Sequence, residues 1–171
     1  MNQFTDRMIR AAKLDKNLYE EVEVDTGAMG QALTVVIISS VAAGIGSLHM
    51  GGFSGVLLGI VMALVGWFIW AYLTFIIGTK MLPTPETRTN YGELLRTIGF
   101  SSSPGIIRVI GIIPGISGLV FMVSGIWMLV AMVIAVRQAL DYTSTWRAVG
   151  VCIIGWIIQA IVFAIFFSVI R

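Results

Sequence analysis

Charge is missing from three long stretches of this chain. Between Asp25 and Lys80 there is no Asp, Glu, Lys or Arg, and the same holds from Val109 to Val136 and from Ala148 to Ile170. A hydrocarbon core of about 30 Å takes about 20 apolar residues per helix, so the first stretch holds two helices and each of the others one. His-Met-Gly-Gly-Phe at 49–53 supplies the turn within the first stretch. The predicted spans are 28–48, 54–78, 92–113, 118–138 and 148–170. The fold class is an all-α integral membrane protein, a five-helix transmembrane bundle preceded by an N-terminal amphipathic cytoplasmic helix.

The third span is interrupted. Asn90 caps a helix that starts at Tyr91, with Glu93 at its third position completing a capping box. Gly99 and Ser101, Ser102 and Ser103 weaken it, and Ser103-Pro104 reads as a fresh helix start. The stretch from Pro104 to Ile113 is only about 15 Å long as an α-helix. Residues 92–113 therefore cross as a broken helix or re-enter as a half-helix.

Positive charge sets the orientation. Arg7, Arg10, Lys13 and Lys16 precede the first span, Lys80, Arg88 and Arg96 follow the second, and Arg137 and Arg147 flank the last connection. The turn at 49–53 has none. By the positive-inside rule the N-terminus is cytoplasmic and, with five crossings, the C-terminus is outside. With 57% hydrophobic and 12% charged residues among 171, no separate soluble domain is expected beyond the polar segment 1–26. That segment lacks the apolar core of a secretory signal. The expected organisation is a cytoplasmic amphipathic segment, 1–26, and a membrane domain, 27–171. A net charge of +2 gives no reason to expect nucleic acid.

Two quoted stretches, YGELLRTIGFSSSP at 91–104 and IWMLVAMVIAVRQALDYTSTWRAVGV at 126–151, resemble the Yip1-domain proteins (YIP1 family), in particular their short bacterial members. The likeness runs from about Tyr19 to the last helix. It implies five membrane helices behind a cytoplasmic segment. Its most specific element, an aromatic after glycine with a proline shortly after, is matched by Gly99, Phe100 and Pro104, with Phe where Tyr is usual in eukaryotic members. The family's acidic residues ahead of the first span have their counterparts here among Glu20, Glu21, Glu23 and Asp25, with no one of the four singled out. Eukaryotic relatives act in vesicle traffic with Rab-type GTPases. This chain lacks their long polar N-terminal region, so the resemblance implies the fold rather than that partner.

Phe4, Met8, Ala11, Leu14, Leu18 and Val22 form a helical apolar stripe, beside which Arg7, Arg10, Lys13 and Lys16 either meet anionic lipid or only fix topology. Gly51, Gly55, Gly59 and Ala63 on the second span, and Ala160, Ala164 and Ser168 on the fifth, form small-residue faces for close helix packing, within the chain or with a second copy. Arg108 is the one ionised side chain at membrane depth and the leading functional candidate, with carbonyls freed by the helix break as its expected partners. Gln159 is expected to bond between helices, Trp127 and Trp156 to pack inside their spans, and His49 to be a turn residue. Cys152, the only cysteine, reads as a packed small hydrophobe.

No nucleotide loop, zinc motif or hydrolase elbow is present in the sequence. The expectation is a non-enzymatic scaffold without cofactor or metal. It would bind a membrane-protein partner or its own copy, shape the bilayer, or serve as an accessory subunit of a larger complex, in the cytoplasmic membrane. A small transporter working through the broken third span and Arg108 is the alternative.

Overall fold

The structure, a computed structural model, describes residues 2–170, without the side chains at 49–55, 162, 163 and 165–170. The expectations on His49, Gly51, Gly55 and Ser168 fall on those side chains and lie outside the described residues. The elements are α1 (Gln3–Ala12), α2 (Lys16–Val24), α3 (Ala28–Gly46), α4 (Leu48–Ile76) closed by a π turn (Ile77–Met81), α5 (Tyr91–Phe100), a 3₁₀ helix (Ser103–Ile112), α6 (Ser117–Ala139) and α7 (Thr145–Ile170). No strand occurs among the described residues.

Three helices are long and apolar enough to cross a membrane by length and composition: Ala28–Gly46, Val56–Met81 and Ser117–Ala139. Residues Thr145–Ile161 form a shorter apolar helix. The third predicted span does not qualify as one helix, because α5 and the 3₁₀ helix have 10 residues each. The chain turns between the first two long helices at Ser47, ahead of the Gly-Gly pair. Its hydroxyl bonds back to the carbonyl of Ala43 at 2.9 Å, closing α3 before the glycines are reached.

Five legs alternate in direction. Ala32, Ser39 and Gly46 of α3 lie beside Gly99, Gly105 and Gly111 of the third leg, so these two run parallel. α4 runs back beside both, with Val56 beside Gly44 and the Trp67 indole donating to the Leu95 carbonyl at 3.0 Å. α6 descends from Phe121, near Gly46, to Gln138, which donates to Glu20. α7 returns with Gly150 near Leu82 and Gly155 near Trp70. Apolar side chains such as Leu58, Val61, Leu119, Ile126 and Ile157 remain more than half exposed on the outside of α4, α6 and α7, a belt fit for lipid.

The N-terminal segment is part of this body. Leu18, Tyr19 and Val22 are fully buried in one core with Leu94, Phe100 and Leu140. Each such burial contributes about 1.5–3 kcal/mol in apolar area. One continuous helix was expected here, and the chain forms two. Leu14 takes a left-handed conformation (φ 63°), the Leu14 and Asp15 amides bond back to the carbonyls of Ala11 and Arg10, and Asp15 caps α2 through the Asn17 amide. This is a Schellman stop followed at once by a new N-cap. Asp141 (φ 52°) ends α6 in the same way, through amides 141 and 142.

Candidate functional site

The third leg breaks where the serines cluster, and the break is chemically closed. Ser101 Oγ donates to the Ile98 carbonyl at 2.7 Å and Ser103 Oγ to the Phe100 carbonyl at 2.8 Å, so the carbonyls freed by the break are satisfied locally. Asn90 and Glu93 form the predicted capping box. Gly99 is needed for space: a Cβ there would lie 2.8 Å from that of Ala32 on α3. Phe100 is fully buried, and Pro104 starts the 3₁₀ helix, where a missing N–H costs nothing. A 3₁₀ helix of 10 residues rises about 20 Å, more than an α-helix of equal length, which carries the short segment past the end of α3.

Arg108 is half-buried and does not use the break. Its Nε donates to Ser124 Oγ on α6 at 3.0 Å, and its guanidinium carbon lies 5.7 Å from the centre of the Phe121 ring. No carboxylate pairs with it among the described residues. The carbonyl partners expected for it are taken by Ser101 and Ser103. Arg108 lines an open cavity of about 520 Å³ to which all five legs contribute. Ser39, Ser40 and Ser47 of α3, Ser102 beside the break and Gln159 of α7 supply its polar wall; Trp67 and Trp70 of α4, Met128 and Met132 of α6 and Trp156 of α7 supply apolar wall.

Part of the α4 small-residue face opens onto this cavity. Gly59 and Ala63 line it, and a Cβ at Gly59 would meet nothing within 4 Å. Ala160 and Ala164 are exposed. Close approaches occur between α3 and the third leg, at Gly46, Gly99, Gly105 and Gly111, and at Gly44 against Val56 of α4 and Gly78 against Leu140. Trp156 is 46% exposed rather than packed inside, while Trp127 donates its indole N–H to the Ala12 carbonyl at 2.8 Å. Trp67 and Trp70 are buried. Cys152 is buried.

At the opposite end the basic N-terminal residues meet the acidic ones. Arg7 is 2% exposed; it pairs with Glu21 at 2.8 Å and Asp25 at 2.8 Å and donates to Gln31 at 3.1 Å. Arg10 pairs with Asp15 at 2.9 Å and Glu21 at 2.6 Å. These two are therefore not lipid-facing, because their guanidinium groups are occupied; Lys13 and Lys16 remain exposed. The arginines hold the carboxyls of Asp15, Glu21 and Asp25 below their ordinary range.

Glu20, Glu21, Glu23 and Asp25 point to different neighbours. Glu20 reaches Gln138, Glu21 and Asp25 reach the arginines, and Glu23 is buried. Burial, helped by the negative charges of Asp141, Glu93 and Glu20, pushes the Glu23 carboxyl up to about 8, with Arg96 opposing. Arg96, which no sequence motif marked, is 5% exposed and donates to the carbonyls of Val22 (Nε, 2.9 Å) and Glu23, capping the C-terminal end of α2.

The Yip1 domain model matches residues 17–167, most of the chain. The chain belongs to the Yip1 family. No curated protein and no solved structure matches it. The Yip1 domain thus begins within α2, so α2 is part of the matched fold and α1 precedes it. Of the residues that carried the resemblance, Gly99 packs on Ala32 of α3, Phe100 is buried in the core shared with Leu18, Tyr19 and Val22 of α2, and Pro104 starts the 3₁₀ helix. Ser39, Ser102, Ser124 and Trp70 were missed as site residues. Their signal was available as polar atoms within apolar helices, but nothing in one sequence tells which of them face a common space.

Proposed function

We propose that this Yip1 domain is a non-enzymatic five-pass membrane scaffold that binds a partner membrane protein, as an accessory subunit of a larger complex, at its basic end. That end would face the cytoplasm of a cell whose plasma membrane it spans, with the C-terminus outside. The observation that carries this reading is a groove of about 450 Å³ there, between α2, the end of α6 and the following turn, lined by Lys16, Glu20, Arg137, Gln138, Asp141 and Thr143. Both signs of charge stand in one groove on a rigid floor, which suits a polar segment of another protein better than a lipid surface. The ordering of α1 and α2 against the bundle supports it, because the floor needs no rearrangement to bind.

The test is purification in native detergent with identification of co-purifying chains. A partner held by the wild type and lost in Glu20→Lys with unchanged thermal stability supports the reading. A lone monomer at every stage of extraction overturns it. The transporter alternative is favoured by one observation, the open cavity beside Arg108, and solute uptake into vesicles containing the protein is its test.

A further inference from the structure

The cavity beside Arg108 has a donor excess that the protein does not use. Of the five guanidinium N–H groups only the one on Nε has a protein partner among the described residues, and no carboxylate lines the cavity. The Trp70 indole, on α4 toward the other end of the cavity, is 6% exposed and its N–H is buried without a partner. Gln159 supplies an amide from the opposite leg. By contrast the hydroxyls of Ser40 and Ser47 already donate to the carbonyls of Val36 and Ala43 in their own helix. A lone cation with unspent donors at the depth of an apolar belt is costly unless an anion meets it.

We propose that this cavity is a binding site for the phosphate headgroup of a membrane lipid, with Arg108 as its charged anchor. A guanidinium fork fits phosphate oxygens in pairs. The volume of about 520 Å³ falls in the range of small-molecule sites; it holds a headgroup and the first part of its chains, not a whole phospholipid. Trp67, Met128, Met132 and Trp156 supply apolar wall for those chains. The site is remote from the charged groove at the basic end and does not depend on a protein partner being bound there.

Trp67, Trp70 and Trp156 make binding visible as a change in tryptophan emission of the full chain in a neutral detergent. The probes are phosphatidylglycerol, neutral diacylglycerol and inorganic phosphate, with native mass spectrometry counting retained lipid. Phosphatidylglycerol is expected to bind and stay bound, and Arg108→Gln to weaken it about tenfold, the worth of one charge-assisted bond. Arg108→Lys, which keeps the charge without the fork, gives a smaller loss and keeps the test alive should Arg108→Gln not fold. An equal response to diacylglycerol overturns the phosphate role. An equal response to inorganic phosphate assigns the site to a soluble anion and overturns the lipid. Unchanged phosphatidylglycerol binding in both variants overturns the site itself.

Discussion

Arg96 and Arg108 stand on the same broken leg and have opposite fates. Arg96, on α5, is almost wholly buried and spends its guanidinium on the last carbonyls of α2. Arg108, on the 3₁₀ helix, gives one N–H to Ser124 and turns the rest toward a cavity. The break between them separates two kinds of structure. On one side the buried arginines find their partners within the chain. On the other a charge is left to be matched by something else. Burying an arginine in a membrane protein is therefore no guide to its role until its donors are counted.

The largest expected effect tests the closed side. Arg96→Ala strips the carbonyls of Val22 and Glu23 of their donors and unseats α2; we expect a loss of about 3 kcal/mol, read as a lower midpoint of thermal unfolding in detergent. An unchanged midpoint would mean that α2 is held without this cap. Next comes Gly99→Val, which forces α5 away from Ala32 and costs about 2 kcal/mol by overpacking. A similar figure, about 2 kcal/mol, is expected for Arg7→Ala, whose partners Glu21 and Asp25 are over a third exposed and recover some solvation.

pH sharpens the same contrast within the closed end. Asp15, Glu21 and Asp25 have lowered pKa values, so their stabilisation is present above the ordinary carboxylate range and lost as pH falls through it. Glu23 acts with the opposite sign: raised from 4.5 to about 8, it favours the fold at low pH and loses that contribution as pH rises through 8. The wild type should therefore lose on the order of 2 kcal/mol between pH 6 and pH 9 that Glu23→Gln keeps. Parallel unfolding curves for the two proteins would show that Glu23 is solvated instead. The smallest effect belongs to the open side. Arg108→Met should change stability by less than about 1 kcal/mol, since one bond to Ser124 is offset by removal of an uncompensated charge. A loss as large as that of Arg96→Ala would erase the difference between the two arginines.

Much of this was legible in residue order, and the failures share a cause. Asn90 and Glu93 announced the capping box because the bonds of a cap run between residues three apart. Ser103-Pro104 announced the break for the same local reason. The stripe from Phe4 to Val22 concealed a stop at Leu14, since a left-handed residue there is usually glycine and only Asp15 behind it makes the stop useful. The glycines of α4 had the spacing of a packing face, yet Gly59 opens onto a cavity while Gly46 on α3 and Gly99, Gly105 and Gly111, six apart on the third leg, make close contacts.

Residue order alone carried the membrane class, the family, the interrupted third leg and the gathering of arginines and lysines toward one end, all of which follow from runs and near-neighbour spacing along one chain. Which arginine is spent and which is free depended on the approach of residues far apart in sequence: Arg96 on Val22, Arg7 on Glu21 and Asp25, Arg108 on Ser124. Charge pairing and cavity shape are set by distances of a few ångströms between separate helices. Those distances exist only once the legs have packed.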